Sequence, residues 1–180
     1  MTSRSFTTTG NGLLEVLINT CRVSEAFDPS GAHPEMLEFN ALWDTGATGC
    51  VITQSVVDAC GLVSTGRAIV KGVHGESEVD TFLVNIYLPN DVGFSQVLAT
   101  IGDFGKDADV LIGMSIISKG DFAVTNLDGI TKFSFRLPSE VHIDFEEETR
   151  RTNLVPQFQH GGSKRSTNRQ KPAKKGGRTK

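Results

Sequence analysis

The first residues with chemistry in them are Asp44-Thr45-Gly46. A carboxylate held in a tight, glycine-bearing loop can act as a general acid or base toward a bound water. The same triplet is also good turn chemistry, since Asp caps its own backbone and Gly relaxes the steric limits on it. In a chain of this composition an Asp-Thr-Gly arises by chance roughly one time in ten. Its surroundings narrow the choice. The apolar run Ala41-Leu42-Trp43 enters the triplet and Val51-Ile52 leaves it, so the loop joins two strands. Two further features stand at a distance along the chain: the apolar run Val110-Leu111-Ile112 ending at Gly113, and Gly72-Val73-His74-Gly75, which has the composition of a hairpin tip.

The elements that must position these residues are short. Leu14, Val16 and Ile18 alternate with period two and predict a first strand. Asp28-Pro29-Ser30-Gly31 and Pro34 predict a turn-rich loop, and Phe39 to Trp43 a strand running into Asp44. Thr53 has the chemistry of a helix cap, with Val56, Val57 and Cys60 on one face and Gly61 just past the end. Residues 68–88 predict two strands about the Gly72–Gly75 tip, the second carrying Phe82, Val84, Ile86 and Leu88 at period two. A further strand is expected near Gln96–Ile101. Val110–Ile112 has the pattern of a short, fully buried strand, followed by a short helix at Met114–Ser118. Phe122–Thr125 and Ile130–Leu137 then pair across Asn126-Leu127-Asp128-Gly129. Many short strands with frequent turns and little helix predict a small barrel or sandwich.

Composition sets the outer limits. The 180 residues, 38% hydrophobic and 22% charged, suit one globular domain with its own core. No run approaches the roughly 20 apolar residues of a membrane span, and residues 1–7 show no apolar segment of the secretory kind. Three cysteines, Cys21, Cys50 and Cys60, form no CxxC pair, which predicts free thiols in a reducing, cytoplasmic setting. Charge divides the chain. Residues 1–149 hold 8 Lys+Arg against 21 Asp+Glu, a net of −13, whereas residues 150–180 hold 10 Lys+Arg and no acid, a net of +10. The expected organisation is a flexible 1–10, a folded 11–149 and a basic, disordered tail over 150–180.

Asp44-Thr45-Gly46-Ala47-Thr48 with Val51-Ile52 resembles the active-site loop of the retropepsin-like aspartic proteases, in their single-domain bacterial form as well as their viral one. Leu111-Ile112-Gly113 resembles that family's second hydrophobic-hydrophobic-Gly motif, and residues 70–78 fall where its flap lies. The resemblance runs from about Gly12 to Pro138. It implies a closed, mainly β acid-protease barrel with one or two short helices, hydrolysing peptide bonds without metal or cofactor. Two carboxylates share one proton about a water, because like charges about 3 Å apart cannot both ionise. This chain has one Asp-Thr-Gly, so the second must come from a second copy, and a homodimer is expected.

Further roles follow from the resemblance. Asp44, Thr45 and Gly46 form the catalytic loop, with Thr45 bonding its counterpart across the dyad and Gly46 offering backbone to substrate. Ala47, Thr48, Gly72, Val73, His74, Gly75 and Ile112 are expected to contact an extended peptide or protein substrate. A hydroxyl at position 47 would favour the charged carboxylate, and its lack predicts activity at milder acidity. The family commonly has Ser or Thr where this chain has Cys50, and Asp or Asn where it has Ser115. These two positions are implied to brace the loop from beneath, more weakly here because a thiol is a poor donor.

Competing readings are plainer. His74 is a solvent-exposed loop residue rather than a pH sensor, Trp43 a core residue beside the loop, and Asp107 with Asp109 a solvated loop rather than a metal site. The tail cations Lys164, Arg165, Arg169, Lys171, Lys174, Lys175, Arg178 and Lys180 suit weak, non-specific phosphate contact with nucleic acid, without aromatics for base stacking. A solubilising tail explains them with less. The rival function is an inactive dimeric module that keeps the peptide cleft.

Overall fold

The structure is a computed structural model and describes residues 2–27, 34–72, 75–89 and 91–154. Ten strands, three short α-helices and one 3-10 turn at Leu127–Gly129 occur among them: β1 Arg4–Thr9, β2 Ile18–Glu25, β3 Leu37–Trp43, β4 Cys50–Ile52, α1 Gln54–Cys60, β5 Gly66–Gly72, β6 Gly75–Tyr87, β7 Gly93–Ile101, β8 Val110–Ile112, α2 Met114–Ile117, β9 Asp121–Thr125, β10 Lys132–Leu137 and α3 Phe145–Leu154. No helix is long and apolar enough to cross a membrane. The turn-rich loop is described only at its two ends. Val73 and His74 of the hairpin tip and the tail from residue 155 lie outside the described residues.

Six strands close a barrel in the order β2-β3-β8-β4-β7-β6, with β2–β6 pairing completing the ring and β5 hanging from β6 as a hairpin. The pairs β3–β8 and β4–β7 are parallel and the others antiparallel. This is the mainly β barrel expected. Its interior is filled by the period-two residues: Phe82, Val84, Ile86 and Leu88 from the β6 region, Val110 and Ile112 from β8, and Val56 from α1. Closure depends on Asn85, buried at a break in the β6–β7 register. Its side-chain oxygen accepts from Gln96 N at 3.0 Å and its amide donates to Glu25 O at 3.2 Å, joining β6 to β7 and β2. A buried amide with both ends bonded fixes one register, where an apolar residue would permit others.

A second sheet, β1-β10-β9, packs an aromatic face on the barrel. Two expectations are corrected here. Residues 4–9 are not a frayed end but strand β1, paired with β10 from Arg4↔Leu137 to Thr9↔Lys132. The β-branched Thr residues favour extended chain, and Phe6 gives the strand an anchor, its ring 5.6 Å from that of Trp43. Leu14 and Val16 belong to no strand; β2 starts only at Ile18. The segment before it is held by Thr131, whose N donates to Gly12 O (2.9 Å) and whose hydroxyl accepts from Leu14 N (2.9 Å). Those loop contacts satisfy backbone groups that a strand would have used.

The compact unit ends at Val141, and a second unit starts at His142. Its described helix, α3, is exposed throughout. Asp144 caps it, accepting Glu147 N at 3.0 Å, and Glu146–Arg150 and Glu147–Arg151 pair one turn apart. Such i,i+4 pairs support a helix that buries no residue of its own.

Candidate active site

Asp44 is delivered by β3, which ends at Trp43. Trp43 is 4% exposed, as expected of a core residue. Its indole donates to Asn19 Oδ1 at 2.9 Å, and its ring lies parallel to Phe122 with centroids 5.3 Å apart. The residue before the carboxylate is therefore fixed by aromatic packing on one side and a satisfied N–H on the other.

The loop itself is largely exposed yet tied down by its backbone. Asp44 N donates to Ile112 O (3.0 Å), Met114 N to Ala47 O (2.8 Å) and Ser115 N to Thr48 O (2.9 Å). Gly46 N donates to Asp44 Oδ1 at 2.7 Å, the one protein donor to that carboxylate among the described residues. A charge-assisted bond of this kind orients the group and leaves most of its lone pairs open. Gly113 explains the second glycine motif. A Cβ there would sit 2.1 Å from Gly49 O and 2.8 Å from Ala47 O, so no other residue lets the α2 end approach the loop this closely.

Beneath the loop Cys50 Sγ and Ser115 Oγ meet at 3.5 Å. The two positions expected to brace it do touch. Burial pushes the Cys50 thiol up, against the pull of hydrogen bonds from Ser115 and the Gly113 backbone, so it stands as a neutral, weak partner. Cys21, also buried, is pushed up to about 12 by its burial. All three thiols are free.

Thr45, Gly46, Ala47 and Thr48 lie together with Asp44 on the loop surface. Gly72 and Gly75 pair to close the β5–β6 hairpin, Gly75 with φ 113°, a conformation that favours glycine. Ile112 corrects an expectation. It is fully buried in the barrel, so its side chain cannot line a cleft; it serves the site through the carbonyl that holds Asp44 N. Asp109 accepts from Ser55 Oγ at 3.0 Å.

Motif reasoning missed the neighbours of Asp44 on the other side. Val16, Leu17, Leu42, Phe122 and Val124 border an open cavity of about 410 Å³ together with Asp44 and Thr45. The alternation Phe122, Val124 was the available signal, but nothing in the spacing connects position 122 to position 44.

A family model described as gag-polyprotein putative aspartyl protease matches residues 35–119. No protein of curated function matches the chain. Among solved structures, a retropepsin-like aspartic protease from Rickettsia conorii is 12% identical with a TM-score of 0.47, over 76% of this chain and 96% of that one. EIAV protease, complexed with the inhibitor HBY-793, is 16% identical with a TM-score of 0.44, over 59% and 88%. The retroviral protease-like domain of Ddi1 from Leishmania major is 14% identical with a TM-score of 0.41, over 72% and 100%. The matched span holds the Asp44 loop, the hairpin strands, Gly113 and α2, and over it the chain is similar to the gag-polyprotein putative aspartyl proteases.

Proposed function

We propose that the chain is an aspartic endopeptidase, active as a homodimer, with Asp44 from each subunit activating one water for peptide-bond hydrolysis. The observation that carries this reading is the state of Asp44: its backbone is bonded to the Ile112–Ser115 segment while its carboxylate has one protein donor and faces an open cavity. In the dimer one carboxylate takes the water's proton while the other, protonated, donates to the scissile carbonyl. Their two titrations belong to the pair. An extended peptide would lie across the loops and add strand-like backbone bonds to the hairpins.

Asp44→Asn tests the reading directly. Incubated with a mixed peptide library over a broad pH range, at high protein concentration, wild type should cleave and the variant should not. A pepstatin-type transition-state mimic should block what wild type does. A wild type that cleaves nothing the variant spares would leave a peptide-binding module in its place. Ala47 sets the acidity in this reading. Ala47→Ser supplies a hydroxyl that favours the charged carboxylate, so its pH–rate optimum should move to lower pH than wild type.

A further inference from the structure

We infer that Asn19 is a positioning residue for Asp44, acting through the Trp43 side chain and joining the end of β3 to the N-terminal strand β1. The inference rests on the endopeptidase reading and adds to it a residue far from the Asp-Thr-Gly loop in the chain. Trp43 is the last residue of β3 and lies just beyond the final pair of the β2–β3 ladder, Ile18↔Leu42. On that side the ladder no longer holds it, and two contacts from one short segment do so instead. Its backbone N donates to Leu17 O at 2.9 Å, and its indole Nε1 donates to Asn19 Oδ1 at 2.9 Å.

The chemistry of the groups fixes which atom faces which. Indole is a donor only, so the amide must turn its oxygen toward it. That leaves the amide nitrogen to donate, and it reaches Thr8 Oγ1 on β1 at 3.3 Å. Thr8 thus holds the amide in the one orientation that serves Trp43. A single side chain on β2 ties together β1 and the strand that delivers the carboxylate.

The bond matters because Trp43 is almost fully buried. An indole N–H without an acceptor there gives up water for nothing. To regain a partner the ring must leave its places against Phe6 and Phe122, whose centroids lie 5.6 and 5.3 Å away. Residues 43 and 44 share a peptide bond, so that movement passes straight to Asp44 and strains the bond from Asp44 N to Ile112 O. Apolar packing alone would tolerate several ring angles, whereas the hydrogen bond selects one. A carboxylate that must meet a water and a carbonyl in fixed geometry is sensitive to such a shift, since a displacement of about 1 Å can cost about 100-fold in rate.

Asn19→Leu removes the acceptor at nearly constant volume. In the full chain kcat should fall about tenfold or more with KM held within about twofold, the mark of lost positioning and not of lost substrate binding. Two readouts need no cleavage. The chain has one tryptophan, so the fluorescence of Trp43 should shift to longer wavelength, and hydrogen exchange at the Asp44 amide should quicken at least about tenfold. Trp43→Phe removes the donor. On that background Asn19→Leu should change kcat and exchange by less than about twofold, because no buried N–H is then left unpaired. Asn19→Ser, one atom too short to make the bond, gives the same comparison if the leucine variant does not fold. An Asn19→Leu protein with wild-type kcat and wild-type exchange at Asp44, or a loss just as large in the Trp43→Phe background, would overturn the inference. The two readings fail separately. Faster exchange at Asp44 in Asn19→Leu with no cleavage by wild type supports this positioning and removes the enzyme; cleavage by wild type and Asn19→Leu alike does the reverse.

Discussion

Asp44 and Asp121 are carboxylates treated in opposite ways. The Asp44 loop takes its firmness from the backbone and leaves the carboxylate with one donor. At the Asp121 corner the firmness comes from the carboxylate itself. It accepts from Arg136 and Ser139 side chains and from the backbone N of Glu140 (2.9 Å) and Val141 (3.4 Å), tying the chain after β10 to the start of β9. Those bonds, Ser139's first, hold its carboxyl well below the usual carboxylate range. A carboxylate that gathers side-chain and backbone donors from β10 and the chain after it acts as a tether; one left open on a fixed loop is available to react. The difference separates a tether from a site more surely than burial does.

Breaking the backbone of the loop should have the largest effect. Gly113→Ala puts a methyl 2.1 Å from Gly49 O, against backbone that cannot swing aside. We expect a loss of about 3 kcal/mol or more in chemical denaturation, of the size seen for overpacking and backbone strain, together with loss of any cleavage. If Gly113→Ala folds and cleaves as wild type does, the loop is not held in the way described.

Acid sharpens the contrast from the other side. The Asp121 carboxyl is lower in the folded chain than in the unfolded one, so its contribution to stability is present at neutral pH. It is lost as pH falls below about 4, the unfolded carboxylate value, toward the folded one. Asp121→Asn should lower the melting temperature at pH 7, and the gap from wild type should narrow as the solution is acidified. A gap that stays constant with pH would assign the effect to packing and not to charge.

The smallest effect is expected at the brace beneath the Asp44 loop. Cys50→Ser replaces a weak donor by a stronger one facing Ser115 Oγ, now 3.5 Å from the thiol. A gain of about 0.5–1 kcal/mol is expected, the net worth of one added hydrogen bond, read as a higher denaturation midpoint at unchanged slope. A loss would mean that the pocket is shaped for sulfur.

Much of the site was legible in the sequence because its constraints are local. Asp44-Thr45-Gly46 needs a glycine where the chain turns back, and Gly113 needs one where two backbones touch. Buried strands such as Val110–Ile112 declare themselves by an unbroken apolar run. Strand β1 did not, since Ser and Thr at its exposed positions resemble a frayed end until Phe6 is seen against Trp43. Helix α3 was missed although its signals were present, an Asp144 cap and Glu–Arg pairs one turn apart. The tail's positive charge had drawn the boundary at residue 150, inside that helix. Ile112 was misjudged for a related reason: a motif residue next to a site was read as lining it, and only burial shows which way it faces.

The sequence by itself determined the Asp-Thr-Gly loop and the glycines that allow it, and under the proposed function a single Asp-Thr-Gly calls for a second copy to supply the other carboxylate. Tertiary structure alone decided what surrounds Asp44. Phe122 and Val124, almost eighty positions away, reach its cavity only because β9 folds beside β10 and stacks on Trp43. Periodicity reports which residues of an element share a face, whereas which elements meet is settled by how all the faces pack at once.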